Sequence, residues 1–271
     1  MRHSFFAIFI SISIGAFAQD QAKYQEPPAL IKELLLAPST PTVSLSRKGD
    51  WMLLMERSSY PAIAELAEPE LRIAGIRINP RRFSQSRGGS FTKLTLRNLA
   101  TKTDYPVTGI PSELRATSVQ WSPNDSLIAF TNAREDRGDL YVIRVADQQA
   151  RQVNQTPLNT VSGTAFTWAG NIKLVYKTVP GGRPGLPERQ PAPTGPVIQE
   201  NLGKAGAART YQDLIKNPYD EEAFSYMMMA QLVVNDLRSE SAVGSQDLYA
   251  SYSVSPDGNY ILTTAVQKPF S

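Results

Sequence analysis

The 271 residues are 41% hydrophobic, enough to bury a sizeable core as one large all-β domain, and twenty Pro with seventeen Gly suit a chain built of many turns. A formal charge of +3, with Lys and Arg scattered rather than gathered into runs, argues against a nucleic-acid surface. No cysteine is present, which excludes disulfides, thiol nucleophiles and cysteine metal sites.

At the N-terminus Arg2 and His3 precede the apolar run 5–14 and then Ala16-Phe17-Ala18. This pattern predicts a secretory signal peptide over residues 1–18, and so an exported chain, periplasmic or extracellular, starting at Gln19. The run is much shorter than the ~20 apolar residues of a membrane span, so no membrane anchor is expected. Residues 19–42 read as an N-terminal extension. Within it ALIKELLL, residues 29–36, forms a short helix stopped by Pro38, its apolar face expected on the edge of the β domain.

One pattern then recurs four times: alternating apolar residues, a Ser-containing turn, and a second apolar run. The copies are Val43/Leu45 before Ser46-Arg47-Lys48-Gly49-Asp50; Val119/Trp121 before Ser122-Pro123-Asn124-Asp125; Phe166/Trp168 before Ala169-Gly170-Asn171; and Tyr252/Val254 before Ser255-Pro256-Asp257-Gly258. Pro presets the φ of a type I turn, Asn or Asp tolerates the next position, and Gly accepts a positive φ afterwards. Each copy therefore reads as strand, tight turn, strand. After the second copy, residues 139–145 and 150–153 add two more strands, completing a four-stranded antiparallel unit over residues 117–155. That unit is a propeller blade. Only the interval between the second and third copies is close to the ~40–50 residues of one blade, so the others carry insertions.

The first copy gives strands at 43–45 and 51–57, with outer strands only at 91–96 and near 106–108. Residues 58–90 are an insertion. The third blade opens at Ala165 and is interrupted by a second insertion, 180–229, which begins with an irregular Pro- and Gly-rich loop over 180–196. Later in it, 211–216 and 218–228 look helical, with Asn217 as N-cap, Pro218 at the first helical position and Asp220, Glu221 and Glu222 in the first turn. Strand character returns at 230–234. Residues 43–271 thus form an incomplete β-propeller, three blades plus the start of a fourth, and its three tryptophans should be core. Unclosed sheet edges predict self-association.

The single histidine, His3, falls in the leader, which leaves no imidazole for a Ser-His-Asp triad. There is no G-x-S-x-G elbow, no H-E-x-x-H, and no phosphate or dinucleotide loop. No catalytic residue, cofactor or metal is expected, and the chain reads as a binding or gating domain.

Tyr24-Gln25-Glu26-Pro27-Pro28, the run 37–46, residues 60–70, Ala74-Gly75-Ile76-Arg77-Ile78-Asn79-Pro80 and residues 209–214 together resemble the N-terminal part of an exported glutamyl endopeptidase of the prolyl oligopeptidase family. The resemblance runs from Tyr24 to the last residue, and residues 66–80 are its most specific part. It implies the lid of a serine peptidase that cleaves after Glu, the triad lying on a C-terminal α/β-hydrolase domain missing from this chain. Peptide substrates would then be met through that domain. The alternative is a non-enzymatic periplasmic scaffold of the Tol type, whose repeats share the S-P-D-G turn.

Two groups are candidate substrate contacts. Arg72, Arg77, Arg81, Arg82 and Arg87 could offer guanidinium forks to an acidic side chain, or could be surface residues paired with Glu65, Glu68 and Glu70. Asp220, Glu221 and Glu222 loosely resemble the acidic helix with which dipeptidyl peptidases hold a free amine, though favourable placement at a helix N-terminus also explains them.

Overall fold

The computed structural model describes residues 26–186, 188 and 212–270. The expected leader and most of the stretch 187–211 lie outside the described residues. Helix α1, Ala29–Leu36, belongs to a unit separate from residues 38–271. None of its residues is buried. With eight residues and no side-chain cap at its start, it has little of its own to fix it.

The rest follows the repeat. In chain order come β1 Thr42–Leu45, β2 Trp51–Glu56, α2 Ile63–Leu66, β3 Leu71–Ile73, β4 Ile76–Asn79, β5 Ser84–Gln85, β6 Lys93–Asn98 and β7 Thr103–Pro106. Next are β8 Ala116–Trp121, β9 Leu127–Ala133, β10 Gly138–Arg144 and β11 Gln149–Gln152. The chain continues through β12 Phe166–Trp168, β13 Leu174–Thr178, α3 Pro218–Met228, β14 Ala230–Asn235, β15 Glu240–Asp247, β16 Tyr249–Val254 and β17 Ile261–Ala265. Three four-stranded antiparallel meanders result, β1-β2-β6-β7, β8-β9-β10-β11 and β12-β13-β14-β15, followed by the hairpin β16-β17. The fold is an all-β propeller.

The recurring serine has a structural task. Ser46 Oγ accepts the Trp51 N–H at 3.1 Å, Ser122 Oγ the Leu127 N–H at 3.0 Å, and Ser255 Oγ the Tyr260 N–H at 2.9 Å. Each hydroxyl donates in turn to Asp50, Asn124 or Asp257, which closes the turn without help from the sheet. Alanine stands in the third copy, which keeps only the backbone bond that all four turns share, here from the Ala169 N–H to the Lys173 carbonyl at 2.8 Å.

Period-2 alternation gives the middle sheet two buried faces. Ile128 and Phe130 on β9, with Tyr141 and Ile143 on β10, meet Leu53, Met55, Leu94 and Leu96 of the first sheet. Ala129, Leu140 and Val142, one residue out of phase, meet Phe166, Leu174, Tyr176 and Val233 of the third. The first strands of successive sheets are stitched by indoles: Trp121 Nε1 donates to Ser44 Oγ at 3.0 Å and Trp168 Nε1 to the Gln120 carbonyl at 3.4 Å. All three tryptophans are half-buried at cluster margins rather than inside them, where the indole N–H groups of Trp121 and Trp168 find their partners. At the outer side Gly109, at φ +70°, lets the first sheet approach β11 so closely that a Cβ would sit 2.2 Å from the Ala150 carbonyl oxygen.

Several boundaries differ from the sequence reading. The outer strands of the first sheet are β6 and β7, slightly displaced from 91–96 and 106–108. Residues 212–216 are not helical: Asp213 is at φ 56° and its carbonyl accepts the Gly75 N–H at 3.0 Å. The first insertion is itself folded. Ala74 and Gly75, both at positive φ, make a two-residue turn that pairs Ile73 with Ile76, and β5 adds a third strand. This small sheet packs on the second insertion, where Ile73 and Ile78 meet Ala223, Phe224, Met227 and Met228 of α3. Arg183 lies against both parts, its guanidinium 5.1 Å from the Phe83 ring and 4.1 Å from the Tyr226 ring.

Candidate functional site

The first insertion leaves the propeller between β2 and β6 and overhangs the same ends of the first two sheets. Beneath it is a cleft of about 1370 Å³, lined by α2 and its flanks, Gly88-Gly89-Ser90, the segment before β8, and the turn after β9. That volume exceeds the ~300–1,000 Å³ of an ordinary small-molecule site. Five arginines line it, Arg57, Arg81, Arg87, Arg115 and Arg134, together with five carboxylates, Glu65, Glu68, Glu113, Glu135 and Asp136. A smaller adjoining cavity of about 300 Å³ is lined by Arg82, Arg87 and Arg115 among hydroxyl-bearing side chains.

Glu68 joins the insertion to the propeller. It accepts from Arg82 Nη1 at 2.9 Å within the insertion, from Arg115 Nη1 at 2.7 Å at the head of β8, and from Asn79 Nδ2 at 3.0 Å. Burial pushes the Glu68 carboxyl pKa up. The hydrogen bonds and charges of Arg115 and Arg82 outweigh that push and hold it below the ordinary carboxylate range. Glu65 adds a second pairing to Arg115 at 3.4 Å. Beside the cleft, the fully buried Asp139 sits between Arg134 at 2.8 Å and Arg137 at 2.7 Å.

The expected arginine group is divided by this geometry. Arg81 and Arg87 line the cleft, Arg81 paired with the exposed Glu135 at 3.3 Å and Arg87 with Glu70 at 3.1 Å. Arg82 is only 4% exposed and committed to Glu68. Arg72 and Arg77 face one another across the β3-β4 hairpin, away from the cleft lining. Arg72 pairs with Glu70 at 2.8 Å, and Arg77 is exposed with no carboxylate partner among the described residues. The acidic trio on α3 lies outside the cleft lining. Asp220 accepts the Lys216 N–H at 2.9 Å while its own N–H donates to the Asn217 cap at 2.9 Å, Glu221 stands 3.5 Å from Lys268, and Glu222 is exposed.

Sequence reasoning missed Arg57, Arg115 and Arg134. Each borders a strand that reaches the cleft, following β2, preceding β8 and following β9. Their shared position at blade ends beside an insertion was the available signal. Among the described residues no group of three His, Asp or Glu could hold a metal ion, and no helix is long and apolar enough to cross a membrane.

No family model matches the chain. Among curated proteins it is 30% identical over 264 residues to a probable chloroplastic glutamyl endopeptidase of Oryza sativa subsp. japonica, and 31% identical over 262 residues to one of Arabidopsis thaliana. Each match covers 92% of this chain but only 28% and 27% of those proteins, so the chain spans little more than a quarter of their length. Solved structures similar to it include the β-propeller domain of a trilobed protease from Pyrococcus furiosus, at 7% identity and TM-score 0.37, covering 80% of this chain and 46% of that one. TolB from Acinetobacter baumannii is also similar, at 11% identity and TM-score 0.36, covering 89% of this chain and 51% of that one. The chain is a β-propeller related in sequence to proteins named as glutamyl endopeptidases.

Proposed function

We propose that this chain is the substrate-gating and recognition propeller of an exported serine peptidase that cleaves peptides after glutamate. In this reading the nucleophile, base and acid are supplied by an α/β-hydrolase domain outside these residues, because the chain holds one histidine, within the expected leader. The observation that carries the reading is the arginine-bearing cleft beneath the first insertion, in a chain 30% identical to a protein named as a glutamyl endopeptidase. A cleft of this volume takes a stretch of extended peptide, and the insertion that roofs it limits what can enter. Guanidinium groups discriminate a carboxylate from the isosteric amide through charge and paired N–H donors.

Fluorescence anisotropy with two labelled peptides that differ only in Glu or Gln at one position tests this. The Glu peptide should bind the chain about tenfold tighter, the effect of ~1.4 kcal/mol. The preference should shrink with added salt. The chain alone should hydrolyse neither peptide. Equal affinities, or turnover blocked by a serine-directed inhibitor, would overturn the reading.

A further inference from the structure

Resting on that reading, we infer that Arg57 is the residue that takes the acidic side chain of the bound peptide. Four of the five cleft arginines already have a carboxylate on the protein: Arg81 has Glu135, Arg87 has Glu70, Arg115 has Glu68 and Glu65, and Arg134 has Asp139. Arg57 has none among the described residues.

Its guanidinium is nevertheless fixed. It lies over the Phe91 ring, with Cζ 4.7 Å from the ring centre, and Nη2 donates to Thr42 Oγ1 at 3.3 Å. On another side it reaches the glycine loop of the insertion, where a Cβ built on Gly89 would stand 3.9 Å from Nη1. The backbone carbonyl of Arg57 accepts from Ser39 Oγ at 3.3 Å, which ties down the strand end that carries it. An aromatic face holds the plane of the guanidinium, and one N–H of Nη2 is spent on a neutral hydroxyl. The second N–H of Nη2, with that of Nε or of Nη1 beside it, makes a fork suited to the two oxygens of a carboxylate. Stacking also lowers the conformational entropy lost when a ligand binds.

The lining as a whole is balanced, five arginines against five carboxylates, so the selection rests on the local contact at Arg57 rather than on a surplus of charge around the cleft.

The test compares the unaltered chain with Arg57→Gln, Arg57→Lys and Arg81→Gln, each titrated with the Glu and Gln peptides. The expected result is a tenfold Glu preference that disappears in Arg57→Gln, is partly kept in Arg57→Lys, and persists in Arg81→Gln. Gln-peptide affinity should stay unchanged throughout, which also shows that the variants fold. A Glu preference retained in Arg57→Gln would overturn the inference and leave the proposed function standing. Absence of the preference in the unaltered chain would overturn both.

Discussion

The sheets of the propeller and the insertions that overhang them are held together by different physics. Between the first and second sheets the contact is apolar and fully buried, with Phe130 and Tyr141 stacked at 5.4 Å among leucines and isoleucines. The insertions share an apolar cluster with Val161 and Leu248 of the propeller's connecting segments, but the tie from the first insertion to the second sheet at the cleft is ionic, Glu68 between Arg82 and Arg115. Apolar burial is insensitive to pH and salt, whereas a half-buried ion pair responds to both. On the proposed reading, a roof joined in this way at the cleft opens while the blades stay closed.

The sharpest way to break the comparison is to remove one apolar side chain from each region. Phe130→Ala should cost about 3–5 kcal/mol and lower the global unfolding midpoint in urea. Ile78→Ala, equally buried in the small sheet, should chiefly reduce hydrogen-exchange protection in residues 71–85 while the blade strands keep theirs. Equal loss of protection in both regions would show that roof and blades unfold as one unit.

The blades were legible because their signals are local. The unbroken apolar run Leu127-Ile128-Ala129-Phe130 marks a strand buried on both faces, and the serine that bonds the N–H five residues on stays within a single turn. The insertion's small sheet was not read, although Ala74-Gly75 has the spacing of a two-residue hairpin, because strands of two to four residues give too few alternations to count. β15, ESAVGSQD, was hidden for a related reason: it is polar and exposed along nearly its whole length. The cleft was half legible. Arginines clustered in sequence were visible, but their division into paired and unpaired groups depends on Arg115, Glu135 and Asp139, which come from distant segments. Arg57 looked like an ordinary strand end.

A second, smaller effect probes the joint where the third sheet meets the segment before β12 and the start of β16. Lys177 on β13 is 1% exposed and donates to the Ser162 carbonyl at 2.5 Å, Ser162 Oγ at 3.1 Å and the Tyr249 carbonyl at 3.3 Å. Burial pushes its pKa down from 10.5 to about 8. Between those values the unfolded chain binds a proton that the folded chain has released, so raising pH favours the folded form. Relative to Lys177→Met, the unaltered protein should gain on the order of 1–3 kcal/mol from pH 7.5 to pH 10.5, read from urea midpoints at each pH. Parallel pH profiles would mean that the three acceptors, which favour the ammonium, cancel the effect of burial.

The most local effect concerns the ionic tie itself. Because the folded-state pKa of Glu68 lies below its unfolded value near 4.5, its contribution to stability is complete above that pH. It is lost as pH falls through the lower, folded value. Glu68→Gln removes the same charge at neutral pH while keeping an acceptor for Arg82 and Arg115, so it should loosen the insertion by about 1–3 kcal/mol. The blades should stay as they are. Hydrogen exchange in residues 63–85, followed from pH 6 to pH 3.5 against a blade strand such as β9, should show protection in the unaltered protein falling towards that of Glu68→Gln. The variant should show no such step of its own. If acid instead loosened both proteins equally, the hold on the roof would rest on the apolar cluster with α3, and the cleft would have no gate of this kind.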